Sequence, residues 1–256
     1  MDDTYKVCFV IALKYYRTYE SFIKYYVDNI QRLYKNSFII IVDNNSKHID
    51  DIKQMFIKYT NLIIITNNTI CKFEIGAYKV GINYLISNNL LDNYNYYIFT
   101  QDNFILKNKY DFNILSNNNT VACPIVSCYN NAYRLKVGHW DKPITRQVLT
   151  SLNLQNSVEK LTFCWCSSFI LEKSKLIPFL NITQNIVITI RHQSESSERY
   201  LSGILYYLNN YIHADIDGDM DDLYKGYDSI KVNLYDNIDR HFVKRNQQKN
   251  EHTQDI

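Results

Sequence analysis

Two stretches of the chain place a single carboxylate at the end of an apolar run. The first is Phe38-Ile39-Ile40-Ile41-Val42-Asp43-Asn44-Asn45-Ser46. The second is Tyr96-Tyr97-Ile98-Phe99-Thr100-Gln101-Asp102-Asn103. Short runs of β-branched and aromatic residues read as buried strands. In a sheet of parallel strands, the carboxyl ends form the rim where ligands bind. Two acidic strand ends on one sheet suit a nucleotide and a divalent cation. Mn2+ or Mg2+ takes oxygen ligands and needs only one or two carboxylates when phosphate oxygens complete the shell. Asp102 fits that metal role; an Asp that ends a strand by capping a turn is the plainer alternative.

The elements that would position these carboxylates alternate along the first half. Lys6 to Leu13, Phe38 to Val42, Leu62 to Thr66 and Tyr96 to Thr100 read as strands. Between them lie helical patterns. One carries Phe22, Tyr26, Ile30 and Leu33, with Thr18 as its cap; a second runs from Ile49 to Tyr59. A third, Ile75 to Asn88, carries Tyr78, Ile82 and Leu85 on one side. Strands separated by helices of this length imply βαβ units and a largely parallel sheet. The second half is less regular. Thr120 to Cys128, Phe163 to Leu171 and Ile186 to Ile190 read as strands, Tyr133 to Pro143 as a loop. Ile144 to Asn153 and Ser197 to Tyr211 read as helices. The expected organisation is one domain over residues 1–236 and a polar C-terminal tail over 237–256.

With 256 residues the chain can bury a sizeable core, and its net charge of +2 provides no global field for nucleic acid or anionic lipid. No apolar run reaches the roughly 18 residues of a membrane span, and Met1-Asp2-Asp3 does not begin a signal peptide. The six cysteines form no Cys-x-x-Cys pair, which argues against a structural zinc site. Reduced thiols in a cytoplasmic protein are expected.

In order and spacing, four segments resemble glycosyltransferases of the GT-A fold, family 2 in style, over roughly residues 5 to 210. They are the strand and Asp43-Asn44-Asn45-Ser46; Phe73-Glu74-Ile75-Gly76-Ala77-Tyr78-Lys79; Thr100-Gln101-Asp102, where the family has Asp-x-Asp; and Phe163-Cys164-Trp165-Cys166-Ser167-Ser168, followed later by Glu198-Arg199. The resemblance implies an α/β, Rossmann-like fold with a mixed, mainly parallel sheet flanked by helices. It extends to viral and bacterial sugar transferases; a large DNA virus as source would place the chain in the host cytoplasm. Thr100 departs from the family pattern, since it stands where the first Asp is expected.

The resemblance also implies roles. Asp43 would accept a hydrogen bond from the base, commonly uracil, and Ala12 would offer backbone groups to it. Gly76 and Ala77 would open a helix whose N-terminus favours a phosphate, with Lys79 toward the donor and Thr100 and Gln101 beside the nucleotide. Asp102 would hold the cation that neutralises the leaving diphosphate, with His192 or His213 as a late ligand. Glu198, or less strongly Glu195, would deprotonate the acceptor hydroxyl. Trp165 would stack on a sugar, and His139 and Trp140 would shape the acceptor pocket. Each has a bland alternative: turn formers for Asp43, close packing for Gly76, an acidic helix start for Glu198, a core indole for Trp165, structural roles for the histidines. Asp215-Ile216-Asp217-Gly218-Asp219 lacks the Glu that closes an EF-hand and reads as an acidic turn.

The expected activity is therefore transfer of a hexosyl or deoxyhexosyl group from a nucleotide-diphosphate sugar, UDP-linked, to a glycan or other hydroxyl acceptor, with inversion and divalent metal. A non-catalytic nucleotide- or sugar-binding module of the same fold is the alternative. A nucleotidyltransferase is disfavoured, because Ala12-Leu13-Lys14-Tyr15-Tyr16-Arg17-Thr18 has no Gly after the first strand.

Overall fold

A computed structural model describes residues 5–13, 20–102, 104–106, 108–110, 112–125, 142–212 and 242–244. Its centre is β1 (Val7–Leu13), seven consecutive buried residues. A strand with both faces covered reads as an unbroken apolar run rather than an alternating one. β1 lies parallel to β2 (Phe38–Asp43) on one side and β4 (Tyr96–Gln101) on the other, and β3 (Leu62–Thr66) lies parallel to β2. β7 (Phe169–Glu172) is antiparallel to β4, and β6 (Ala122–Pro124) is antiparallel to β7. The six-stranded sheet thus runs β3-β2-β1-β4-β7-β6.

Helices cover both faces. α1 (Glu20–Leu33) presents Ile23, Tyr26, Val27 and Ile30 at helical spacing to Phe9 and Ile11, and α2 (Ile49–Met55) adds Ile52 to the same core. α3 (Phe73–Ser87) packs on the opposite face through Ile75, Tyr78, Ile82 and Leu85, against Val10 and Val42. A Cβ on Gly81 would come within 2.6 Å of a Val10 methyl, so glycine lets α3 approach the sheet closely. The first two crossovers move outward from β1 along one face. The third, through α3, returns along the other face and delivers β4 to the far side of β1. The strand order reverses between β1 and β4, and this switch point is where doubly wound sheets open a crevice.

The later part departs from the expected elements. Of the expected 163–171 strand only residues 169–171 join the sheet, in a strand that ends at Glu172. Trp165–Ser167 forms a tight turn instead, with Cys166 and Ser167 at φ 54° and 53°. Ile186 to Ile190 forms no strand; Ile188 is tied to the segment before α3, accepting from Lys72 N (2.6 Å) and donating to Cys71 Sγ (3.4 Å). α4 (Phe112–Asn117) and α6 (Leu176–Thr183) were not foreshadowed. α6 holds Pro178 in its first turn, where a missing N–H costs nothing because it has no intrahelical partner anyway. α5 (Pro143–Ser151), α7 (Arg191–Glu195) and α8 (Ser197–Leu208) complete the second face. β8 (Phe242–Lys244), inside the expected tail, pairs antiparallel with β5 (Phe104–Leu106). Cys8, Cys71, Cys123, Cys164 and Cys166 are buried free thiols. Among the described residues no helix is long and apolar enough to cross a membrane.

Candidate functional site

The end of β1 organises the rim. Leu13 O accepts from Asn44 N at 2.8 Å, and Ala12 O accepts from Asp102 N at 3.0 Å. The turns that carry the two acidic strand ends are therefore tied to successive carbonyls of one strand, at the switch point. Two strand spacings put the backbones of β2 and β4 roughly 10 Å apart. That leaves the end of β1, including Ala12, between them.

The β2 side is closed. Asp43 is fully buried, and both of its oxygens accept from Ser46: Oδ2 from the backbone N at 2.9 Å, Oδ1 from the hydroxyl. Asn45 adopts φ 65°, a conformation Asn tolerates well. Such a turn satisfies a carboxylate that would otherwise be costly to bury. Asn67 joins the next loop to it. Its Nδ2 donates to Asn44 Oδ1 (2.9 Å) and Cys71 O (2.8 Å), while its Oδ1 accepts from Thr69 N (3.0 Å) and Thr69 Oγ1 (2.6 Å).

The β4 side is arranged differently. Strand alternation sends Thr100 to the α1 face, where its hydroxyl pairs with Tyr26 OH at 2.7 Å; both groups are buried. Burial pushes the Tyr26 phenol well up, partly offset by that hydroxyl. Thr100, expected beside the nucleotide, is thus spent below the rim. Gln101 points to the α3 face, and its Nε2 donates to Glu74 Oε1 at 2.8 Å. Asp102 is partly exposed, unlike Asp43.

The start of α3 serves packing. A Cβ on Gly76 would lie 2.0 Å from Cys71 O, so only glycine permits this approach. Ala77 is fully buried against the sheet. Lys79 differs most from expectation. Its ammonium donates to Thr183 O (3.2 Å), Gln184 O (3.0 Å) and Ile186 O (2.9 Å), where it caps the end of α6 rather than facing a donor. Open carbonyls at a helix C-terminus match three ammonium protons.

Trp165 is buried in the α1-side core, so its indole face is not offered to a sugar. The turn that holds it docks on the start of α8. Cys166 N donates to Glu198 Oε1 at 2.8 Å, Cys164 N to Glu198 O at 2.9 Å, and the hydroxyls of Ser167 and Ser197 meet at 2.5 Å. Consecutive left-handed residues without glycine cost about 1–3 kcal/mol each, and these bonds oppose that strain. Glu198 Oε2 also pairs with Arg199 at 3.0 Å, and the buried guanidinium lies 3.8 Å above the Phe163 ring. Glu195 is exposed and pairs with Arg191 across one helical turn at 3.3 Å. His192 is exposed and lines a separate cavity of about 500 Å³, together with Lys142, Val148, Ile186, Gln193 and Ser196. His139, Trp140, His213 and Asp215 to Asp219 lie outside the described residues.

Among the described residues no group of three or more His, Cys, Asp or Glu could hold a metal ion. A cation at Asp102 would take one protein carboxylate there and most of its other ligands from diphosphate and water, which Mg2+ accepts readily. The residue that sequence reasoning missed is Glu74. One oxygen accepts from Gln101 and the other from Ser194 Oγ at 2.6 Å, so it joins α3, β4 and α7. In the sequence it reads only as an acid in a helix's first turn, which the dipole alone would explain.

No protein-family model matches the sequence, and no curated protein matches it significantly. Solved structures with a similar general arrangement include the bifunctional glycosyltransferase WbbM in apo form. That match has 11% identity and a TM-score of 0.48, and covers 96% of this chain and 46% of that one. Another is the mannosyltransferase Ktr4p from S. cerevisiae: 12% identity, TM-score 0.39, 80% of this chain and 62% of that one. A third is core-mannan synthase A (CmsA/Ktr4) from Aspergillus fumigatus in a Mn/GDP form: 9% identity, TM-score 0.41, 83% of this chain and 71% of that one. The chain therefore spans less than two thirds of the length of the first two, 46% and 62%.

Proposed function

We propose that the chain is a glycosyltransferase that takes a sugar from a nucleotide-diphosphate donor, UDP-linked, and delivers it to a hydroxyl of a glycan or similar acceptor. One observation carries this proposal. The Asp43 and Asp102 turns are both hydrogen-bonded to the end of β1 at the switch point of the sheet. That is the crevice in which doubly wound sheets bind nucleotides. The base and ribose would lie toward Ala12 and the closed β2 turn. The diphosphate would lie toward Asp102, which would hold a divalent cation that draws charge from the leaving group.

In the transfer, an acceptor oxygen attacks the anomeric carbon from the face opposite the diphosphate. The C–O bond to phosphate breaks, the electron pair leaves with the diphosphate, and the hydroxyl proton passes to a base. Glu198 is the base candidate we retain. Its side chain is 23% exposed, and its bonds to Cys166 N and Arg199 hold the carboxylate at the start of α8. Glu195, held in a surface pair, is not retained.

A non-catalytic nucleotide-binding module is the second reading. Commitment of Thr100 to Tyr26 favours it, because the rim then holds one carboxylate at the position of the family pair.

Thermal shift with UDP, GDP, CMP and dTDP, with and without Mn2+, tests binding. A ligand at about 100 times its Kd adds about 2.7 kcal/mol, or roughly 5–10 °C for a domain of this size. A metal-dependent shift with one nucleotide is expected, and no shift with any of the four would refute the proposal. Glu198→Gln keeps an acceptor for Cys166 N, so it should bind nucleotide normally and lose turnover of the matching nucleotide sugar. No turnover in the native chain, despite binding, would favour the module.

A further inference from the structure

Glu74 occupies a position that the roles above do not use. It lies in the first turn of α3, and its two oxygens reach different elements: Oε1 to Gln101 at the end of β4, Oε2 to Ser194 in α7. Gln101 immediately precedes Asp102, whose own N–H is held by Ala12 O. Ser194 lies one residue before Glu195, and Ser197 accepts the opposite duty: its hydroxyl donates to Ser194 O at 2.5 Å and meets Ser167 at the strained turn. A chain of hydrogen bonds therefore runs from β4 through Glu74 and α7 to the turn that Glu198 supports.

The surroundings strengthen these bonds. Tyr78, one helical turn along α3, and Tyr200, in α8, are fully buried on the same side. Burial pushes both phenols up and the Glu74 charge adds to the effect, so both rings stay neutral beside the carboxylate. In such a setting a charge-assisted bond is stronger than at an open surface.

We infer that Glu74 is a positioning residue: it latches the Asp102 end of β4 to α7 and thereby sets where the metal-binding carboxylate stands relative to the start of α8. This rests on the nucleotide-diphosphate transfer proposed above. Glu74 itself need touch neither donor nor acceptor. Without its carboxylate, Gln101 loses that acceptor, and the tie between the end of β4 and α7 is broken. Asp102 then samples more positions, and a cation shared with a diphosphate binds less well.

The test uses the full chain, Glu74→Ala, Glu74→Gln, and Leu149→Ala as a control that loosens the core between α5 and α8. Two measurements are made. Amide hydrogen exchange at Gln101 and Asp102 reads the latch without any ligand. Titration with UDP and Mn2+, or with whichever of the four nucleotides shifts the native chain, reads its consequence. Glu74→Ala should speed exchange at these amides at least tenfold and weaken metal-dependent nucleotide binding about tenfold. Glu74→Gln, which keeps an acceptor oxygen for Gln101, should restore most of both. Leu149→Ala should lower the melting temperature without either selective change. The inference is overturned if Glu74→Ala leaves exchange at Asp102 unchanged. It is equally overturned if Leu149→Ala weakens nucleotide binding as much as Glu74→Ala does. If the native chain binds no nucleotide, the transfer proposal fails, and exchange alone still decides whether the latch exists.

Discussion

β2 and β4 flank the same strand, and both end in a carboxylate, yet the two ends are finished in opposite ways. Asp43 is fully buried, and one residue three positions on, Ser46, satisfies both of its oxygens. Asp102 is partly exposed, and its neighbours Thr100 and Gln101 are held by distant elements, α1 and α3. The β2 end is a self-contained local turn. The β4 end is suspended between layers, with Asp102 partly exposed. The two ends therefore differ in what holds them, a local turn at β2 and distant helices at β4, although their sequences look alike.

The contrast can be broken first by substitution of the acids. Asp43→Ala removes the acceptor that the Ser46 N–H and hydroxyl share, and should cost about 3 kcal/mol. Asp102→Ala, at a partly exposed position, should cost about 1 kcal/mol or less while abolishing the Mn2+-dependent nucleotide shift. Urea denaturation of both variants checks this; equal losses would erase the distinction. Thr100→Val comes next. It preserves shape but strips Tyr26 OH of its buried partner, so a loss of about 1–2 kcal/mol is expected, with nucleotide affinity unchanged. Reduced affinity would return Thr100 to the rim. Ser46→Ala should cost about 1 kcal/mol, because the backbone bond to Asp43 remains.

The smallest effect is alkaline weakening of β4 relative to β2. β2 has no ionisable side chain before Asp43, whereas β4 begins with Tyr96 and Tyr97. Desolvation pushes Tyr96 up to about 12 and Tyr97 higher still. Above the unfolded value of about 10 the unfolded chain releases these protons first, so stability falls as pH rises from about 10 towards 12. Hydrogen exchange corrected for intrinsic rates should show β4 losing protection before β2.

The fold was largely legible because its signals are local. The run Val7 to Leu13 is apolar throughout and lies buried on both faces; Ile30 and Tyr26 stand at helical spacing and meet the sheet. The strand ends at Asp43 and Asp102 were likewise visible. The second half was not. Phe163 to Ser168 has strand-like composition, but Glu198, 32 residues beyond Cys166, bends it into a turn. Ile186 to Ile190 has strand-like composition too, yet Ile188 is held by Cys71 Sγ and Lys72 N, the former 117 residues away. Lys79 could not be placed from its own helix, since the carbonyls it caps belong to residues more than 100 positions on.

Over the first half, the sequence by itself determined which segments become strands and helices, which faces they bury, and that two acids stand at the carboxyl end of one sheet. Those properties follow from periodicity and from the cost of leaving apolar surface in water. Tertiary structure alone decided what each polar group does. Thr100 meets Tyr26 across 74 residues, and Glu74 meets Ser194 across 120. A hydrogen bond is fixed by position to within a few tenths of an ångström, and such positions exist only after the layers have packed.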